Sequence, residues 1–235
     1  MLKICNDRPI NLSSGFVLDM DSLLNSVNTV NNKFKTLESR TEEMALNIFD
    51  AIDFRMLSGL VGETLVSELS NEISGLYKNP NMDGYPDLLD VSRNNYHSDY
   101  EKWEKNDLSK FIKFPYGGIE VKNTFGTKKS GVTLHPGNSR ITKINKKPAW
   151  KAHHRYTNNL LALLSDFIDG CPQIVAVMYS DNLKEEDWAE KQNPKKESTM
   201  TSFSELKRPG WEKLLSGIRI CRDDAKYLDF FGENS

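Results

Sequence analysis

Three residues stand out for what they can do together: Asp87, which follows Pro86, and Glu120 and Lys122, which flank Val121. Breaking a phosphodiester requires a cation to take up charge on the phosphoryl group, a water made nucleophilic, and a positive group close to the attack. Two carboxylates suit Mg²⁺, a hard octahedral ion that takes oxygen ligands and keeps several of its waters. Side chains alternate along a strand, so a lysine two residues after a carboxylate points into the same cleft. The chemistry these residue types suit is metal-assisted hydrolysis at phosphorus.

Context narrows the choice. Pro-Asp occurs once in the chain, whereas an acid two residues before a lysine occurs three times, at Glu120 and Lys122, Glu205 and Lys207, and Asp224 and Lys226. Only the first lies downstream of Asp87 within reach of a strand pairing and on an alternating apolar segment. Asp83 and Asp90 are the alternatives to Asp87. From Val121 to Ser165 the chain has no Asp or Glu. It carries there Lys128, Lys129, Arg140, Lys143, Lys146, Lys147, Lys151, His153, His154 and Arg155, a local positive field suited to an anion such as a phosphate backbone. Adjacent histidines on a helix diverge by about 100°, so His153 and His154 are expected to contact the anion or to pack rather than to share a metal.

The elements that must position these groups follow from periodicity and turn signals. Apolar residues from Val17 to Leu37 have helical spacing, and a long helix is expected from Thr41 to Tyr77, with a kink near Gly59 or Gly62. The turn formers from Asn79 to Pro86 lead into a short strand at Leu88 and Leu89, which puts Asp87 at the start of that strand. Residues 92 to 115 read as a polar excursion inserted between neighbouring strands. Residues 117 to 122 alternate as a strand with Ile119 and Val121 on one face and Glu120 and Lys122 on the other. Trp150 to Asp169 reads as an amphipathic helix closed by Gly170, and Ile174 to Tyr179 as a buried strand. Residues 190 to 205 read as a polar loop, and a last strand from Gly217 to Cys221 closes the sheet.

Pro86-Asp87 followed by Glu120-Val121-Lys122 resembles the PD-(D/E)XK nuclease superfamily, which includes most type II restriction endonucleases. The resemblance spans roughly residues 41 to 180. It implies a restriction-endonuclease-like α/β core, a mixed central sheet flanked by helices, with an N-terminal helical part at 1 to 40 and a loop and strand elaboration at 181 to 235, all in one domain. It further implies that Asp87, Glu120 and the carbonyl of Val121 bind Mg²⁺ and that Lys122 orients or activates the water. Members often carry a glutamate on the helix before the Asp strand, and Glu63 fills that place. Its spacing from Met56 and Leu60 puts it on an apolar side of its helix, where an unpaired carboxylate is costly. The implied reaction is site-specific hydrolysis of double-stranded DNA giving 5'-phosphate and 3'-hydroxyl ends, by a homodimer. A repair nuclease or junction resolvase of the same superfamily, or a DNA-binding protein without catalysis, are the other readings.

Composition fits a globular protein. The 235 residues are 38% hydrophobic and 10% aromatic, enough for one sizeable core. The net charge of −2 conceals the local basic stretch. Three cysteines in no CxxC arrangement suggest reduced structural thiols rather than a disulfide framework or a zinc knuckle. No apolar run is long enough for a membrane span and no signal-peptide pattern opens the chain, so a cytoplasmic protein is expected, without a nucleotide cofactor.

Overall fold

The computed structural model describes residues 1–126, 148–194 and 202–233. In chain order the described strands are β1 (Leu2–Ile4), β2 (Ile10–Asn11), β3 (Val17–Leu18), β4 (Leu76–Lys78), β5 (Leu88–Asp90), β6 (Gly118–Thr124), β7 (Lys151–Ala152), β8 (Leu160–Ile168), β9 (Cys171–Ser180), β10 (Ser204–Glu205) and β11 (Ile218–Arg222). The helices are α1 (Met20–Glu42), α2 (Ile48–Ala51), α3 (Phe54–Glu72), α4 (Asn94–Asn106), α5 (Arg208–Leu215) and α6 (Ala225–Phe231).

Seven strands form the central sheet in the order β1-β11-β9-β8-β6-β5-β4. Only β6 and β8 run parallel, and every other pair in this sheet is antiparallel. The molecule is therefore α/β with a mixed central sheet flanked by helices, as expected. On one face α1 and α3 pack through Leu23, Val27, Val30, Phe34, Leu57, Val61 and Leu65 against Val121, Leu161, Leu163 and Val177. The other face buries Ala162, Leu164, Ala176 and Met178 beneath Trp150, Trp188, Leu214 and Tyr227.

α1 is anchored by Asp19, whose carboxylate accepts from the Ser22 amide at its N-terminus. Further along, the buried Asn31 donates to the Ile174 carbonyl at 3.0 Å and accepts from the Ile174 amide at 2.8 Å, so its side chain does for β9 what a neighbouring peptide would. The expected single helix from Thr41 to Tyr77 is instead broken. Ala45 takes a left-handed φ of 56°, after which Asn47 and Asp53 cap α2 and α3 in turn.

The larger correction concerns Trp150 to Asp169, where no amphipathic helix forms. Residues 160–168 make β8, buried on both faces. Asp169 and Gly170 join it to β9 with φ of 53° and 87°. Two central residues with positive φ are the signature of a tight hairpin turn whose twist matches its strands. Gly170 therefore ends a strand, not a helix.

The excursion between the neighbouring strands β5 and β6 is an insertion, as expected, but it is ordered. α4 and a short 3₁₀ turn at Leu108–Phe111 enclose a small core of Leu89, Val91, Tyr100, Phe111 and Phe114. At the far edge β11 is present but does not close the sheet, because β1 pairs outside it. Part of the predicted polar loop is also ordered, as β10 pairs with β7. Cys5, Cys171 and Cys221 are free thiols.

Candidate active site

The site lies where the ladder between β5 and β6 ends. Leu88 pairs with Ile119 and Leu89 with Gly118. Gly118 is needed for this approach, since a Cβ there would sit 1.9 Å from the Leu88 carbonyl oxygen. One residue on, the main-chain pairing gives way to side chains. The Asp87 amide donates to Glu120 Oε2 at 3.2 Å, and the Val121 amide donates to Asp87 Oδ2 at 2.8 Å. Each carboxylate thus occupies the place of a ladder carbonyl, and this fixes the two acids relative to each other.

Lys122 completes the cluster, with Nζ 2.6 Å from Glu120 Oε1 and 3.2 Å from Asp87 Oδ2. Glu120 is 1% exposed, against 20% for Lys122 and 22% for Asp87. Burial pulls the two carboxylates in one direction and their neighbours split them. Asp87 is pushed up to about 6, by burial and by Glu120 against the pull of Lys122. For Glu120 burial is outweighed by Lys122 and by the nearby His154, which hold it at about 2. Burial would lower Lys122, yet Glu120 and Asp87 together raise it well above the usual lysine range. One ammonium therefore serves two carboxylates, and Asp87 is the acid left short of positive charge.

What fits the group to a divalent cation is its oxygen donors. The donor set is two carboxylates, and the Val121 carbonyl joins them by strand geometry: a residue's N–H and C=O leave the same edge of a strand, and the Val121 N–H on this edge already meets Asp87. Hard oxygen donors of this kind suit Mg²⁺. Among the described residues no third acid, histidine or cysteine joins Asp87 and Glu120 to form a larger ligand group.

The cluster opens on a cleft of roughly 790 Å³ between α3 and the stretch of β6 that β5 does not reach. Asp87, Val121 and Lys122 line its floor, α3 contributes Ser58, Gly59, Gly62 and Glu63, and Lys151 and Glu205 stand at the far side. A Cβ added at Gly59 or Gly62 would meet nothing within 4 Å, so this stretch of α3 presents bare backbone to open space. Ser58 ties the helix to the strand: its hydroxyl donates to the Asn123 carbonyl at 3.0 Å, while Asn123 Oδ1 accepts from Ser165 at 2.7 Å.

Glu63 is in the cleft but not in the cluster. It is exposed and pairs with Lys78 at 2.7 Å. The expected apolar surroundings are absent, since Met56 and Leu60 are themselves exposed at 63% and 40%. The buried acid of α3 is Glu68, paired with Lys33. Of the alternatives to Asp87, Asp90 lies at the other end of β5 and accepts from Ser92.

The basic residues fall into separate groups. Lys128, Lys129, Arg140, Lys143, Lys146 and Lys147 lie outside the described residues. Lys151 faces the cleft, 3.2 Å from Glu205 and above the Phe203 ring. Arg155 points away to Glu185, at 3.2 Å. His153 stands at the surface with its ring partly covered, and that partial burial, then His154 and Lys122, lower its pKa.

His154 takes a place beside Glu120 that the helical reading concealed. It sits in the loop between β7 and β8, with Nε2 3.5 Å from Glu120 Oε1 and Nδ1 3.0 Å from the Thr157 hydroxyl. Its ring packs edge to face on Tyr85 at 4.3 Å between centroids. Tyr85 in turn donates to the Tyr156 carbonyl at 3.2 Å. Tyr85 directly precedes Pro86-Asp87, and its position there was the one sequence signal that an aromatic wall flanks the acids.

No helix among the described residues is long and apolar enough to cross a membrane. Comparison with protein-family models, with curated proteins and with solved structures returned no match.

Proposed function

We propose that this protein is a Mg²⁺-dependent endonuclease that cuts double-stranded DNA, of the type II restriction kind within the PD-(D/E)XK superfamily. One observation carries the reading: Asp87 and Glu120 converge with Lys122 at the floor of an open cleft, two carboxylates to one ammonium.

Asp87, Glu120 and the Val121 carbonyl would hold the ion, which supplies a Lewis acid for the phosphoryl oxygens and lowers the pKa of bound water. Lys122, held between the two acids, keeps its proton and presents positive charge to the attacking water and the phosphate. The bare backbone of α3 at Gly59 and Gly62 leaves room for a sugar-phosphate chain along the cleft. Glu63 and Lys151 face that path from opposite walls, and the lysines and arginines that the sequence carries between 121 and 165 would supply phosphate contacts. Cutting both strands of a duplex calls for two such sites, hence a homodimer.

The test is incubation of the protein with unmethylated phage or plasmid DNA in Mg²⁺ or EDTA, beside Lys122→Ala and Glu120→Gln. Discrete Mg²⁺-dependent fragments are expected, with loss of at least about 10²-fold in rate in either variant. Cleavage confined to branched or damaged DNA would replace restriction with repair or junction resolution. Binding of DNA with no cleavage of any of these substrates in Mg²⁺ would rule out the enzymatic reading and leave a binding protein.

A further inference from the structure

We infer that His154 is a positioning residue for Glu120, offering its carboxylate a second donor beside Lys122 when a divalent cation is bound. The inference rests on the proposed metal site and extends it by a residue.

The histidine is built into its place from three sides. The Thr157 hydroxyl, fully buried, meets Nδ1 at 3.0 Å. Tyr85 holds one flank of the ring, and His153 packs edge to face against it at 4.4 Å. When the Thr157 hydroxyl donates to Nδ1, the ring proton resides on Nε2, the atom directed at Glu120 Oε1. Fixing the tautomer of a histidine through its other nitrogen is how such rings are oriented around metal sites.

At 3.5 Å, Nε2 is too far from Oε1 for a full hydrogen bond, and it is buried without another acceptor. Oε1 is instead drawn to Lys122 at 2.6 Å. Glu120 therefore has two donors competing for one oxygen. A small rotation of the carboxylate towards His154 completes the histidine's bond and loosens the grip of Lys122. His154 thus offers Glu120 a resting place that frees the ammonium to face the phosphate, and without it Glu120 and Lys122 stay locked as a closed pair.

The experiment measures binding of Mn²⁺ alone by isothermal titration, without DNA, for the wild type and for His154→Phe, His154→Gln, Thr157→Val and Asp87→Asn. Phe keeps the aromatic packing on Tyr85 and loses the donor, and Gln keeps a donor. Partners of this kind alter metal affinity by about 10- to 100-fold. Phe is expected to weaken Mn²⁺ binding by at least about tenfold at an unchanged melting temperature, Thr157→Val to do so in part, and Gln to recover most of the loss. Wild-type binding that Asp87→Asn abolishes and His154→Phe leaves unchanged would overturn the role of His154 while the metal site stands. No Mn²⁺ binding by the wild type would remove the metal site, and this inference with it.

Discussion

Asp87 is the strained member of the acid pair. Its folded carboxyl titrates at about 6 because it is buried beside Glu120, whereas an unfolded chain releases that proton near 3.9. Between those values the folded protein binds more protons than the unfolded one, so this group's contribution to stability falls as pH rises. The penalty is complete above about pH 6 and absent below the unfolded pKa. Asp87→Asn removes the charge, keeps an oxygen for the Val121 amide, and leaves Glu120 and Lys122 as a balanced pair. It is expected to raise the melting temperature by a few degrees at pH 7.5 in EDTA, with the gain shrinking as pH falls below 6, while cleavage is lost. Thermal melts across that pH range check it, and a lower melting temperature at pH 7.5 would contradict the charge argument. Glu63, exposed and paired with Lys78, is expected to matter much less: Glu63→Gln should cost under about tenfold in cleavage rate, which the same gel assay measures.

At the scale of elements, β5 and β6 depend on Gly118, whose φ of 149° and close approach to Leu88 leave no room for a side chain. Gly118→Ala is expected to part the two strands and misplace Asp87, losing both stability and metal binding. A urea midpoint unchanged from the wild type would show that the strands can shift apart freely. The same element explains why the site was legible in the sequence. Ile119 and Val121 go to the core and Glu120 and Lys122 to the site, so simple alternation names the face that carries the candidate site. β8 was not legible in the same way. Leu160 to Leu164 is buried on both faces of the sheet, and a continuous apolar run carries neither a period of two nor of 3.6. The deciding signal was Asp169-Gly170, a dipeptide that favours tight hairpins. Once β8 is a strand, His154 falls in a loop beside Glu120, a contact that depends on chain pairing far from its own position.

In the whole molecule, the first strand meets the last. β1 zips onto β11, and the Asp223 amide donates to the Met1 carbonyl at 2.8 Å. β1 covers the edge that β11 would otherwise expose, and a bare edge invites pairing with other chains. Deleting residues 1 to 4 is therefore expected to lower the unfolding midpoint and to raise light scattering on mild heating, with the cleft residues themselves untouched. A truncated protein that stays monodisperse would place the protection elsewhere. Long-range organisation of this sort was beyond reach of local periodicity: neither β1 nor the order β11-β9-β8-β6 has any marker in the neighbourhood of its own residues.

The cleft owes its existence to the brevity of β5. Antiparallel pairing with β6 stops after Leu88, and from Val121 onward that margin of β6 is left to a carboxylate, a helix and open space. Had pairing run two or three residues further, the strand would have sealed the groove, and Asp87 would be an ordinary rung. Strand length thus acts here as a dial on access. Replacing the turn at residues 79–86 with a sequence that favours extended pairing would shut the groove from within, without touching any of the three residues that give the site its chemistry.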